Sequence, residues 1–123
     1  MGTYVTICGW VECGDDDQLP LIQEIAEAER IGERHYRGGW TFPAEQPMWS
    51  TVAFFATCGR AGYEESVRAL LERVAALPAY SADERVCGLF RVCHEVEGVT
   101  EWRLHGGVLH CAPAVPEHAY LDE

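Results

Sequence analysis

Three observations predict an α+β domain in which an antiparallel sheet carries two helices on one face. Strand-like runs with alternating side chains occur throughout the chain, two segments at helical spacing fall between them, and the last third reads as strand, turn, strand, turn, strand. The 123 residues fit a single domain spanning 1–123, long enough to bury a core without metal or disulfide staples.

Tyr4 to Glu12 begins the first strand. Val5, Ile7 and Val11 share one face, and Tyr4, Thr6, Cys8 and Trp10 share the other. Both faces are largely apolar, which places this strand in the middle of the sheet. Cys13-Gly14-Asp15-Asp16-Asp17 ends it and starts a helix, with Asp17 as the capping residue and its acidic neighbours at the positive helix end. Leu21, Ile22, Ile25 and Ala26 form the apolar stripe of that helix, which ends near Gly32. Gly38 to Phe42 reads as a short strand, and Pro43 and Pro47 bound a loop.

Trp49 to Cys58 is a second central strand, with Val52, Phe54 and Ala56 on one face and Trp49, Ala53 and Phe55 on the other. A second helix follows from Tyr63 to Leu77, carrying Val67, Leu70, Leu71 and Val74 at helical spacing, and Pro78 stops it. Glu97-Gly98 and Gly106-Gly107 then read as two-residue turns of consecutive hairpins. That register puts Cys93, Trp102 and Cys111 in one core row and Arg91, Leu104 and Leu109 in the next. The opposite, half-polar face then carries Phe90, Val92, His94, Glu101, Arg103, His105 and His110. The order strand, helix, strand, strand, helix, strand is that of a ferredoxin-like βαββαβ unit, with a C-terminal β-hairpin extension.

Charge narrows the function classes. Twenty Asp and Glu stand against nine basic residues, all Arg, for a formal net charge of −11. Such a surface repels nucleic acid and attracts a basic partner. No run is apolar and long enough to span a membrane, and no charged region followed by an apolar signal segment opens the chain, so a cytoplasmic protein is expected. The six cysteines are spread without a CxxC pair and read as reduced, small buried hydrophobes.

Enzyme motifs are incomplete. His94-Glu95 opens like a zinc-protease motif, but position 98 is glycine where the second histidine would stand. Cys93-His94 and His110-Cys111 pair a nucleophile with a base, yet neighbours on a strand point to opposite faces. His94, Glu101, His105 and His110 have the chemistry of a zinc site, but their register places His105 and His110 diagonally apart. Asp15-Asp16-Asp17 lacks the alternating ligands of a calcium loop. No phosphate loop, dinucleotide fingerprint or nucleophile elbow occurs, so no metal and no cofactor is expected. Trp40 and Trp49 flank the Pro-rich loop and are candidate exposed anchors for a partner.

Tyr4 to Val11 with its Gly9-Trp10-Val11 ending, the acidic helix start, Val86-Cys87-Gly88-Leu89-Phe90, His94-Glu95, Glu101-Trp102-Arg103-Leu104 and the closing acidic tail together resemble bacterial polymorphic-toxin immunity proteins, of the type known as immunity protein 7. The loop from Gly39 to Trp49 has no counterpart in that resemblance. It implies a small α+β inhibitor that protects a cell from its own or a sibling's toxin, without catalytic residues. An inhibitor of a nuclease-type toxin gains on-rate and selectivity from acidity, because such toxins carry basic clefts. The expected contact set is Asp15, Asp16, Asp17, Trp40, Trp49, Glu95 and Glu101, meeting a cognate basic toxin domain. The rival reading is a small-molecule or enzymatic domain working through His94, Arg103, His105 and His110. A third is a homodimer formed through the half-polar sheet face.

Overall fold

A computed structural model describes residues 2–31, 37–47 and 50–122. Six strands form one antiparallel sheet: β1 (Tyr4–Cys13), β2 (Arg37–Thr41), β3 (Thr51–Arg60), β4 (Cys87–His94), β5 (Gly98–His105) and β6 (Val108–Pro113). Helix α1 (Gln18–Ile31) lies between β1 and β2 in sequence, and α2 (Tyr63–Ala75) between β3 and β4. The strand order is β2-β3-β1-β4-β5-β6, so each helix connects two strands that have another strand between them. β1 and β3 are interior, as their two apolar faces predict.

Both helices cover the same face. Ile22 and Ile25 of α1, with Val67, Leu70, Leu71 and Val74 of α2, join Val5, Ile7, Val11, Phe55, Phe90 and Trp102 of the sheet in one cluster. One cross-strand row runs the full width of this face: Trp40, Phe55, Gly9, Phe90, Trp102 and Cys111. Gly9 is what lets that row close. A Cβ there would stand 2.2 Å from the Leu89 carbonyl oxygen and 2.8 Å from the Phe90 ring. With only hydrogen at Gly9, Phe55 and Phe90 meet edge to face at 6.1 Å between centroids, a favoured aromatic geometry. The Gly-Trp pair of the first strand therefore divides its work, with Gly9 admitting the aromatic row and Trp10 standing on the other face.

The predicted face of β4 is reversed. Phe90 is fully buried and Val92 nearly so on the helix-covered face, while Arg91 and Cys93 lie on the open one. The cause is one residue of turn. His94 pairs with Gly98 across a three-residue loop, Glu95-Val96-Glu97, and Gly98 closes it with φ of +93°. Glycine can serve equally in a two-residue turn or as the left-handed residue ending a three-residue one. The pairing shifts by three residues, so that Phe90 rather than Cys93 stands opposite Trp102, and this odd shift moves the whole of β4 to the other face. The β5–β6 hairpin has the predicted two-residue Gly106-Gly107 turn, so Trp102, Leu104 and Leu109 face the core as expected.

The open face is partly covered by the chain's own end. A 3-10 helix, Pro116–Asp122, lies across β4 and β5, where Arg91 pairs with Asp122 and Glu101 with His118. The rest of this face, on β1 and β3, exposes Tyr4, Trp10 and Phe54.

The cysteines depart from the expected burial. None is paired in a disulfide, and only Cys13 is buried; Cys8, Cys58, Cys87 and Cys111 are exposed and Cys93 is intermediate. Four of them, Cys8, Cys58, Cys87 and Cys93, lie on the open sheet face, which neither α1 nor α2 covers. Among the described residues no helix is long and apolar enough to cross a membrane.

Candidate functional site at the acidic end of the sheet

Where β1 runs into α1, the chain builds a fixed acidic corner. Its organiser is Gln18, which is 1% exposed. Gln18 Oε1 accepts the backbone N–H groups of Gly14 at 2.7 Å and Asp15 at 3.3 Å, while its Nε2 donates to the carbonyls of Pro78 at 3.0 Å and Glu84 at 2.9 Å. One buried amide thus ties the Asp loop to the segment after α2. Leaving any of those groups unpaired in the interior would cost about 1–3 kcal/mol, which explains why an amide is found at a buried helix start.

The three aspartates are individually held. Asp15 Oδ1 accepts the Asp17 amide at 2.9 Å, forming a tight turn; Asp16 Oδ1 accepts from the Thr51 hydroxyl at 3.0 Å; Asp17 Oδ2 accepts from the Tyr80 hydroxyl at 2.7 Å. Asp17 was expected to cap the helix amides, but its carboxylate is turned to Tyr80 instead. That hydrogen bond, followed by the charge of Asp17, pushes the Tyr80 phenol above its ordinary range. Tyr80 is 78% exposed, so its ring is a surface feature despite being oriented.

Between Tyr80 and the helix start lies a groove of about 210 Å³ lined by Asp15, Asp17, Leu21, Pro78 and Tyr80. Its size falls below the ~300 Å³ at which small-molecule sites begin, and suits a single inserted side chain. Carboxylates at the rim with an apolar wall match the charged head and aliphatic stem of Arg or Lys. Glu12, Asp83 and Glu84 add to the negative field: the charge of Glu84 is felt at Tyr80, and those of Asp15, Asp16 and Glu12 at Cys13. None of these six carboxylates takes part in an ion pair among the described residues. The neighbouring Arg85 carries its guanidinium to the β5–β6 turn, against Gly107.

The other expected contact residues are not brought to this corner. Trp40 packs in the core, 5.0 Å from Phe55 and 6.3 Å from Phe90 between ring centroids, with its indole N–H buried and unpartnered. Trp49 lies outside the described residues. Glu95 accepts the Tyr4 amide at the far end of β1, roughly 30 Å from Asp15 by the rise of an extended strand. Glu101 is on the open face, engaged by His118. Tyr80 and Gln18 are the residues that sequence reasoning missed.

The rival ligand set is split by the sheet. His94 lies on the helix-covered face, where its Nδ1 accepts the amides of Val96 and Glu97, each at 3.1 Å, and so shapes its own turn. Arg103, His105 and His110 are on the opposite face, where His110 Nε2 lies 3.2 Å from the His105 carbonyl oxygen. His94 therefore cannot share a metal or substrate with Glu101, His105 and His110. No group of three or more His, Cys, Asp or Glu among the described residues could hold a metal ion.

Four of the thiols, Cys13, Cys87, Cys93 and Cys111, are poorly suited to attack. Burial, followed by the charges of Asp15 and Asp16, raises Cys13 to about 11. Burial likewise raises Cys87, Cys93 and Cys111 above the ordinary thiol range, which disfavours the thiolate that a nucleophile requires. Comparison of the chain with family models, with curated proteins and with solved structures yields no match.

Proposed function

We propose that the protein is an immunity protein that binds and neutralises a basic bacterial toxin domain, through the acidic corner at the start of α1. The carrying observation is the groove between Asp15, Asp17 and Tyr80, fixed from behind by Gln18 and sized for one basic side chain. A pre-positioned carboxylate set loses little conformational freedom on binding, and its field accelerates encounter with a positively charged cleft. Tyr80 supplies the aromatic anchor that Trp40, held in the core, does not. The partner contact set becomes Asp15, Asp16, Asp17 and Tyr80, with Asp83 and Glu84 at the rim.

The resemblance to immunity protein 7 rests on the sequence motifs, with which an α+β chain carrying Gly9-Trp10 on its first strand is compatible. The interleaved order β2-β3-β1-β4 supports reading the first four strands and two helices as a ferredoxin-like unit, with β5 and β6 appended at the β4 edge. An inhibitor of this kind works in the cytoplasm, where a toxin acting on nucleic acid meets its substrate.

The test is co-purification of the tagged protein with the product of the adjacent large open reading frame, followed by affinity measurements at low and high salt. Tight binding that weakens as salt rises, and that falls about tenfold or more when Asp15, Asp16 and Asp17 are all changed to Asn, is the expected result. Absence of binding at either salt concentration would refute the proposal.

A further inference from the structure

We infer that the cleft between the open sheet face and the Pro116–Asp122 helix binds a small molecule with an apolar body and one carboxylate, which takes the place of Asp122 on Arg91. The cleft holds about 410 Å³, inside the ~300–1,000 Å³ range of small-molecule sites that the groove at the acidic corner does not reach. Its lining is mostly apolar and comes from two directions. Trp10 and Leu89 belong to β1 and β4, and Tyr120 and Leu121 belong to the helix. Trp10, Tyr120 and Leu121 all stay exposed although they border one cleft, so the chain does not fill it with its own side chains. A ligand body lodged between them removes apolar surface from water on both sides.

The charged and titratable lining sets the chemistry of the head group. It consists of Arg91, Glu101 and His118, together with the Cys8 thiol. Glu101 and His118 engage each other, which leaves Arg91 to receive a ligand's charge. The Arg91 side chain is 20% exposed, so its charge is largely withdrawn from water and favours an anion over an amine or a neutral head. Its guanidinium is also under-filled. Among the described residues Nη2 donates to Asp122 and Nη1 to Cys93 Sγ at 3.3 Å, a weak acceptor, while Nε is buried without one. A carboxylate matches such a fork with two parallel hydrogen bonds.

Asp122 is suited to give way. Its side chain is 53% exposed and returns to water when displaced. The helix stays on the sheet without it, held by His118 on Glu101 and by the Ala114 amide, which donates to the Val99 carbonyl at 3.1 Å. The cleft therefore keeps its second wall. Exchanging one carboxylate for another leaves the charge on Arg91 balanced, and burial of the apolar body favours the ligand.

The test titrates octanoate and, as its neutral counterpart, 1-octanol into the protein alone, up to about 3 mM, by calorimetry and by the Trp10 indole N–H resonance. One octanoate per chain is expected, with a dissociation constant below ~1 mM, and octanol at least ~10-fold weaker. Arg91→Gln should weaken octanoate at least ~10-fold and leave octanol unchanged, with circular dichroism reporting that the fold is kept. Asp122→Asn, at an exposed position, should tighten octanoate several-fold by removing the competing carboxylate. No octanoate binding in this range, equal binding of the two probes, or weaker octanoate binding by Asp122→Asn would each overturn the inference.

Discussion

The two faces of the sheet are made from the same strands, yet they answer to different demands. On the helix-covered face, a row from Trp40 to Cys111 crosses all six strands, with Phe55, Phe90 and Trp102 buried at its centre beneath the helices. On the open face, the alternate residues of the same strands include Trp10, Phe54 and four cysteines, covered only in part by the Pro116–Asp122 helix. Strand alternation therefore yields two surfaces with apolar residues, one closed by packing and one left largely exposed. Apolar content alone does not identify a core; what distinguishes the faces is which one the intervening helices reach.

The largest expected difference between the faces comes from matched phenylalanines. Phe90→Ala, at a fully buried position touching Trp40 and Phe55, should cost about 3–5 kcal/mol in chemical denaturation, whereas Phe54→Ala should cost under ~1 kcal/mol. Equal losses would mean that the faces are not distinct. Gly9→Val sharpens the same contrast, because its side chain would enter the aromatic row against backbone atoms. A loss of about 3 kcal/mol is expected there, while Thr6→Val on the open face of the same strand should be nearly neutral.

Gln18→Leu should cost about 2–3 kcal/mol, since it keeps the bulk and strips four hydrogen bonds. If the acidic corner binds the proposed toxin, the effect on that binding should exceed that of a surface substitution of equal stability cost, because the Asp loop loses its support.

Thiol chemistry gives a pH-resolved version of the comparison. At pH 8, iodoacetamide should alkylate buried Cys13 more than ~100-fold more slowly than Cys58, by mass-spectrometric peptide mapping. Because the folded pKa of Cys13 is raised, its contribution to stability is complete below the unfolded value near 8.5. It is lost as pH rises through about 11. The smallest effect should be at Tyr80: Asp17→Asn should bring the phenol titration back toward its ordinary value, read by ultraviolet absorbance, with no measurable change in stability.

Much of this arrangement was legible in the chain. Apolar residues on both sides of Tyr4–Glu12 and of the Val52–Phe55 run placed β1 and β3 inside the sheet, and Gly106-Gly107 fixed the β5–β6 register. The β4 register was not legible, because Gly98 satisfies two turn lengths that differ by one residue and sequence periodicity cannot choose between them. The C-terminal helix over the open face was also hidden. Its anchors, Arg91 to Asp122 and Glu101 to His118, are single pairs distant in sequence, with no period to announce them.

At the acidic corner, the three aspartates were visible as a run. Tyr80 was not, because a lone tyrosine after Pro78-Ala79 carries no pattern. The nearest signal was Gln18 itself, an amide at a helix start whose apolar stripe already demanded burial. Glu95 and Glu101 were grouped with the aspartates by charge alone, and three-dimensional distance undoes that grouping.

The most direct test follows backbone amide resonances of the protein as the product of the adjacent large open reading frame, the proposed toxin, is added. Shifts concentrated at Asp15–Gln18 and Tyr80–Glu84, with Cys8, Trp10 and Phe54 unmoved, are the result expected if the acidic corner is the toxin-binding surface. Shifts confined to the open sheet face, with the Asp15–Asp17 loop silent, would contradict the account.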